Sequence, residues 1–278
     1  MTRRNQGLQI MKDIASISYP QLDQSRVLQM IFHPRPDLSL PDPDIESFHI
    51  PVEDSQSVGA SFHRHGPKSP TIVFFHGNGE IVSDFDELGK IYTRMGINFL
   101  PVDYRGYGRS SGSPTVTAMM RDAYFVLTWV RNWLQQSQFT GPLLLMGRSL
   151  GSAPALELAA NEPEAVQGLI IESGFASVDP LLRLLGLDPG ELGLTPATGL
   201  ANAEKIASFY KPTLIIHATQ DQIIDFSQAE TLFARSPASE KKLVPISGAN
   251  HNTILAVGLE SYMQAIQDFV AAIGTNKD

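Results

Sequence analysis

The sequence contains no cysteine among its 278 residues. Disulfide bonds, thiolate metal sites and a cysteine nucleophile are therefore all excluded. Basic residues are also few, since 21 lysines and arginines stand against 29 acidic residues and give a formal net charge of −8. Because phosphate binding depends on clustered lysine and arginine, and no basic stripe is present, nucleic acid is not expected as a partner.

Long apolar segments are absent as well. No stretch approaches the roughly 18 consecutive apolar residues that indicate a transmembrane helix, so none is predicted. An arginine pair, Arg3-Arg4, lies near the N-terminus, but no apolar stretch of about 7 to 15 residues follows it. This pattern argues against an export signal, and we expect a cytoplasmic location.

The N-terminal part of the sequence differs from the rest. Four apolar residues recur there at helical spacing, namely Leu8, Met11, Ile14 and Ile17. They predict a short amphipathic helix that packs on the domain or, as the weaker alternative, touches a membrane surface peripherally. Residues 37–44 are dense in proline and aspartate and predict an irregular segment. We therefore expect an extension over residues 1–44 that packs on a single α/β domain over residues 45–278.

Short apolar strands alternate with helical patterns over the rest of the chain. Strands are predicted at 48–52, 58–63, 71–75, 97–104, 143–146, 169–172, 213–217 and 242–246, and helices at 85–95, 115–136, 152–161 and 255–273. The first two strands flank a turn and predict an antiparallel hairpin at a sheet edge. The alternation predicts a mostly parallel eight-stranded sheet with helices on both faces. Pro101 cannot donate to a central ladder, so we expect a bulge there.

One of these strands ends in a Gly-x-Ser-x-Gly pentapeptide, Gly147-Arg148-Ser149-Leu150-Gly151, which small residues follow. A serine on a tight strand-to-helix turn has a strained backbone, and the residues two before and two after it are pressed together, so glycine is required there. The pattern predicts a nucleophile elbow at Ser149. The pentapeptide alone is also compatible with an ordinary glycine-rich turn.

The order of the motifs resembles that of the α/β-hydrolase superfamily from about residue 45 to residue 275. His76-Gly77-Asn78-Gly79 follows the third strand and Asp103-Tyr104-Arg105-Gly106-Tyr107-Gly108 follows the fourth, before the elbow at Ser149. Asp221 and His251 come after the seventh and eighth strands. The resemblance is strongest to soluble, short-lid serine hydrolases, which include esterases, thioesterase-like depalmitoylating enzymes and acylglycerol lipases. It implies an α/β-hydrolase fold with a short lid.

Ser149 needs a base and an orienting acid, because a serine hydroxyl is a poor nucleophile until a correctly held base removes its proton. His251 lies in a turn-rich loop after the last strand and is the candidate base. Asp221 matches the usual position of the acid in the family. Glu172, at the end of the sixth strand, and Asp225 are the alternatives, although Asp225 is more naturally a helix N-cap.

An oxyanion hole is expected from backbone N–H groups beside the elbow. One belongs to Leu150, the residue after the nucleophile, and the other to Asn78 or, alternatively, Gly79. His76, in the same loop, is interpreted as a structural residue that anchors the loop by hydrogen bonding.

Two charged residues of the Asp-Tyr-Arg motif are also interpreted as structural. Asp103 and Arg105 are expected to form a pair that braces their loop rather than to act in catalysis. The lid is expected within about residues 175–210, a short segment rich in leucine. It suits an apolar acyl-binding wall over Ser149 and, equally, a sheet-packing helix followed by a loop.

Together these residues predict a serine hydrolase that cleaves carboxylic esters or thioesters of a small-molecule or acylated substrate through an acyl-enzyme. Ser149 attacks, His251 moves the proton and Asp221 orients the imidazole, and no cofactor or metal is implied. The short lid predicts a preference for short to medium acyl chains. Peptidase, amidase and acyltransferase activities stay open, because the same acyl-enzyme can form from an amide or pass to another acceptor. A non-catalytic scaffold that binds a ligand or a protein is the alternative of a different class.

Overall fold

The computed structural model describes residues 14–40, 42–195 and 198–275. The described strands are β1 (Glu46–Pro51), β2 (Ser57–Phe62), β3 (Thr71–Phe75), β4 (Asn98–Val102), β5 (Leu143–Arg148), β6 (Gly168–Glu172), β7 (Thr213–Ala218) and β8 (Lys241–Ile246). They form one eight-stranded sheet in the order β1-β2-β4-β3-β5-β6-β7-β8. The pairs β1–β2 and β2–β4 are antiparallel, whereas all other pairs are parallel. The predicted sheet and its edge hairpin are confirmed.

Helices cover both faces of this sheet. Those described are α1 (Ser25–Ile31), α2 (Asp86–Arg94), α3 (Val116–Gln136), α4 (Ser152–Asn161), α5 (Asp179–Leu184), α6 (Asn202–Ile206), α7 (Phe226–Arg235) and α8 (Ile254–Thr275). Apolar side chains of α2 and α8 pack in one hydrophobic cluster, and those of α1, α3, α4 and α7 pack in a second. Because successive side chains of a strand point to opposite faces, Ile72 and Phe74 of β3 join the first cluster and Val73 and Phe75 the second.

The bulge predicted at Pro101 does not form. Pro101 pairs in register with Phe74 of β3, and Ala60–Val102 and His63–Phe99 keep a single register with β2 on either side of it. Backbone hydrogen bonds join His63 to Phe99 and Asp103 to Gly59. Between these two pairs one ladder hydrogen bond is missing, because the nitrogen of Pro101 carries no hydrogen to donate. A central strand thus tolerates proline here by losing one hydrogen bond instead of bending.

The segment before the sheet packs against the second hydrophobic cluster. Ile14 and Phe32 are buried there, as are Leu22 and Val27. Leu8 and Met11 lie outside the described residues. Within the described ranges, no helix combines the length and apolarity needed to cross a bilayer.

Candidate active site

The elbow lies where β5 ends and α4 begins. Ser149 has a φ of 52°, in the left-handed region that side chains rarely adopt, and a short 3₁₀ turn links it to α4. A Cβ atom at Gly147 would collide with the backbone of Gly151, and one at Gly151 would collide with the carbonyl of Phe75. The two glycines of the pentapeptide are therefore required by close backbone packing, and the strained conformation falls on the serine.

Ser149, His251 and Asp221 are brought together from three separate loops. His251 Nε2 lies 2.9 Å from Ser149 Oγ, and His251 Nδ1 lies 2.7 Å from Asp221 Oδ2. The imidazole is buried between the hydroxyl and the carboxylate. This arrangement orders one tautomer, in which Nδ1–H donates to the carboxylate and Nε2 accepts from the serine.

The carboxylate of Asp221 is held on both of its oxygens. Oδ1 accepts backbone N–H groups from Ile223 at 2.9 Å and Ile224 at 2.8 Å. Burial by itself would raise the pKa of Asp221, but hydrogen bonds from His217 and His251 outweigh it and hold the pKa well below its usual value. The carboxylate therefore stays ionised throughout the neutral range.

His217, within β7, was not predicted to take part in this arrangement. Its Nε2 lies 2.8 Å from the carbonyl oxygen of Ile224 and 3.4 Å from Asp221 Oδ2. Since a carbonyl can only accept, Nε2 carries the proton and faces the carboxylate as well. A buried histidine at the end of a strand that leads to the candidate acid is the sequence signal that could have identified it.

The two alternative acids form hydrogen bonds with other partners. Glu172 accepts from Arg148 Nη1 at 2.5 Å and from the Tyr262 hydroxyl at 2.6 Å. Asp225 caps α7 by accepting from the backbone N–H of Ser227 at 3.0 Å. Of the three carboxylates considered, only Asp221 contacts the imidazole of His251.

The loop after β3 lies beside the elbow and forms part of the same pocket. Asn78 and Leu150 both line this pocket together with Ser149. The N–H of Gly77 is engaged by Glu80 Oε2 at 2.6 Å and is not free to meet a ligand. The geometry therefore leaves the predicted position, Asn78, as the next donor along the loop.

The ring of His76 contacts its own loop, since Nδ1 lies 2.7 Å from the carbonyl oxygen of Gly77, but Asp103 and Arg105 do not pair. The Tyr104 hydroxyl donates to the carbonyl of His76 at 2.6 Å. Asp103 accepts from the backbone N–H of Val82 and faces the His76 ring, in space left open by neighbouring glycines. Arg105 instead makes two 2.8 Å bonds to Asp122. Asp122 is a buried carboxylate on α3 that matches the guanidinium fork, and this explains why the predicted pair is wrong.

Arg148 joins three parts of the site and was missed by sequence reasoning. Its Nε donates to Glu80 Oε1 at 2.8 Å, its Nη1 to Glu172, and its Nη2 to the carbonyl of His251 at 3.1 Å. The side chain is buried, so each of these contacts offsets the cost of removing the charge from water. A charged residue at the end of a buried strand was the available signal, because it requires buried partners.

Arg148→Met is expected to destabilise the protein by about 3 to 5 kcal/mol, because Glu80 and Glu172 would lose their shared cation in a buried setting. Urea unfolding measures this change from the midpoint of the transition, when the dependence of the unfolding free energy on urea concentration is the same in the variant and the wild type. Arg183→Met is the matched control, since Arg183 is exposed and lies 3.8 Å from Asp188. Its effect should stay within about 0.5 kcal/mol. Equal midpoints for the two variants would contradict the structural importance of the Arg148 contacts.

The pocket over Ser149 has a volume of about 240 Å³ and a largely apolar wall. Leu181 and Leu185 contribute to it from the leucine-rich lid segment, whereas Leu182 and Leu192 are buried in the core. Some leucines of this segment therefore line the pocket, and others pack in the core. Met30, Ile31 and His33, from the segment before the sheet, also line the pocket, and no sequence motif indicated this.

Comparison with known proteins agrees with this architecture. A family model described as serine aminopeptidase, S33, matches residues 66–189, which include Asn78, Ser149 and Leu150. Among solved structures, Est1E of Butyrivibrio proteoclasticus superposes with a TM-score of 0.68 at 18% sequence identity. The superposition covers 82% of this chain and 100% of the Est1E chain. An esterase of Pyrococcus furiosus, Pf2001, superposes with a TM-score of 0.69 at 16% sequence identity. This superposition covers 86% of this chain and 98% of the Pf2001 chain. At these identities the structures establish the fold alone.

Curated relatives establish the family. The chain is 30% identical to human α/β hydrolase domain-containing protein 17B over 232 residues. This alignment covers 82% of this chain and 75% of the relative. It is also 30% identical over 232 residues to protein 17C of Xenopus tropicalis, with 82% and 70% covered. With the eight-stranded sheet and the strained serine between β5 and α4, these matches show that the chain belongs to the α/β-hydrolase superfamily.

Proposed function

We propose that the protein is a serine hydrolase that cleaves carboxylic ester or thioester bonds through an acyl-enzyme. The observation that carries the proposal is the continuous hydrogen-bonded series from Asp221 through His251 to Ser149, with bonds of 2.7 and 2.9 Å. A serine, a histidine with one fixed tautomer and an ionised carboxylate are the groups that acyl transfer to a hydroxyl requires.

In the proposed reaction, Ser149 Oγ attacks the acyl carbonyl while its proton passes to His251 Nε2. Asp221 stabilises the imidazolium that forms, and the backbone N–H groups of Leu150 and Asn78 receive the oxyanion. His251 then gives the proton to the departing alcohol or thiol. A water molecule, deprotonated by the same imidazole, attacks the acyl-serine and releases the acid.

Cleavage at a free peptide N-terminus is a weaker candidate on structural grounds. Recognition of an α-amino group requires an available carboxylate near Ser149, and Glu80 is the acidic residue that lines the pocket. Its Oε1 accepts from Arg148 and its Oε2 accepts from the N–H of Gly77. Because Arg148 already pairs the charge of Glu80 and each oxygen already accepts a hydrogen bond, Glu80 is a poor partner for an α-amino group.

A fluorophosphonate probe tests the nucleophile directly, because it reacts with activated serines and leaves ordinary hydroxyls unmodified. The wild type should be labelled, and Ser149→Ala should not be labelled although it keeps its fold. The alternative of a non-catalytic scaffold requires that the well-folded wild type also remain unlabelled. Labelling that persists in Ser149→Ala would place the nucleophile elsewhere.

The lid segment allows a prediction about acyl length. Leu181 and Leu185 face the pocket, but Leu182 and Leu192 are turned into the core, so the apolar wall is short. We expect hydrolysis of p-nitrophenyl esters to be fastest for short to medium chains when kcat/KM is measured from acetate to palmitate. A maximum at palmitate would contradict this prediction.

A further inference from the structure

The segment that precedes the sheet holds the loop in which the oxyanion donor is proposed. Two contacts join His33 to Asn78: the backbone N–H of His33 lies 2.9 Å from Asn78 Oδ1, and its ring Nδ1 lies 2.7 Å from Asn78 Nδ2. Arg35 Nε donates to the carbonyl of Gly79 at 2.8 Å. Both residues considered for the second oxyanion donor are thus bound from outside their own loop.

The direction of each hydrogen bond at Asn78 follows from its partners. A backbone N–H can only donate, so the Asn78 atom that faces the N–H of His33 is the amide oxygen. Tyr107 O–H donates to the same oxygen at 2.8 Å, and burial raises the pKa of Tyr107 to about 12, which keeps this hydroxyl protonated. The amide NH₂ of Asn78 therefore points to the ring of His33. His33 Nδ1 must accept, and the ring carries its proton on Nε2.

We propose that His33 is a positioning residue of the oxyanion hole, whose unprotonated Nδ1 fixes Asn78 so that its backbone N–H meets the developing oxyanion. This inference rests on the proposed serine hydrolase function. His33 binds the side chain of Asn78 through its ring while its own backbone binds the same side chain, so the amide is held at both ends. An asparagine clamped in this way cannot rotate without breaking a bond to each partner.

Several features of the surroundings make this clamp rigid. Phe32, directly before His33, is buried and packs edge-on against the Tyr107 ring with centroids 6.5 Å apart. The hydroxyl of Tyr107 also accepts from the N–H of His33 at 2.8 Å. The backbone of His33 is therefore fixed independently of its exposed ring, and replacing the ring removes one hydrogen bond while the other contacts remain.

The test compares two substitutions of His33. His33→Leu keeps apolar bulk but has no acceptor, whereas a glutamine at this position can accept from Asn78 Nδ2 with its amide oxygen. In ester hydrolysis, His33→Leu should lower kcat by about 10- to 100-fold with KM within about twofold, because misplacement by about 1 Å of a group acting in the transition state can cost about 100-fold. His33→Gln should recover most of the loss. The rate of fluorophosphonate labelling should fall and recover in parallel.

A double-mutant cycle then shows whether His33 acts through Asn78. In an Asn78→Ala background, His33→Leu should have almost no further effect, since the bond that couples the two side chains is already absent. His49→Ala is the control, because His49 is exposed on the edge strand β1 and should leave kcat unchanged.

The outcomes separate this inference from the function on which it rests. A wild type that neither hydrolyses esters nor reacts with the probe would overturn the proposed function itself. An active wild type with an unchanged kcat in His33→Leu would overturn the positioning role alone. A rise in KM at constant kcat would also overturn it, because the ring would then bind substrate directly. Additive losses in the double variant would show that His33 does not act through Asn78.

Discussion

Replacing Ser149 or His251 with alanine is expected to lower kcat by about 10⁶-fold in each case, and the double variant is expected to lose no more than either single one. In the proposed reaction the two side chains act as a unit, because the hydroxyl is a nucleophile only while Nε2, 2.9 Å away, accepts its proton. Once either group is missing, the other has no partner with which to react.

Steady-state hydrolysis of an activated ester tests this prediction. The concentration of active enzyme is calculated from the folded fraction of the protein and not from active-site titration. Circular dichroism and the unfolding midpoint serve as controls for folding. A double variant that is about a million-fold worse than either single variant would mean that the residues act independently. A His251→Ala variant that keeps more than about a hundredth of the wild-type kcat would indicate another base.

The elbow and the sheet could be predicted from sequence because their physical requirements are local. Gly147 and Gly151 occupy positions where a Cβ atom would collide with the backbone, so the requirement is visible as residue type and spacing. The strands β3, β5, β6 and β7 are buried throughout, which produces continuous apolar runs that a sequence displays directly. Asp221 and His251 follow strands whose ends meet at one edge of a parallel sheet.

The contacts that support these residues could not be predicted, because they join parts of the chain that share no local pattern. His33 meets Asn78 across 45 positions, and Arg148 meets His251 across 103. Pro101 shows the limit in the other direction, since a local rule predicted a bulge that the surrounding register overrides. Local chemistry identifies the groups proposed to react, whereas tertiary packing decides how they are held.

Asp221→Asn is expected to lower kcat by about 10⁴-fold while the fold and KM change little, as a comparable substitution does in a serine protease. In the wild type, Asp221 Oδ2 accepts the Nδ1–H of His251 at 2.7 Å. The backbone N–H groups of Ile223 and Ile224 can only donate, so they would hold the asparagine oxygen at the position of Oδ1 and leave its NH₂ group facing His251. The imidazole would then favour Nε2–H, and this tautomer cannot accept the proton of Ser149.

The pH dependence and two control variants test whether Asp221 is the acid that orients His251. Because hydrogen bonds depress the pKa of Asp221, its carboxylate is ionised throughout the neutral range, and in the proposed reaction it stabilises the imidazolium of His251 there. In Asp221→Asn this support is lost, so the acid limb of the kcat/KM profile should move to lower pH. Glu172→Gln and Asp225→Asn should each cost less than about tenfold, since Glu172 binds Arg148 and Tyr262 and Asp225 caps α7. If Glu172→Gln were as damaging as Ser149→Ala while Asp221→Asn stayed active, the acid would lie at the end of β6, and Arg148 would have to release Glu172 during the reaction.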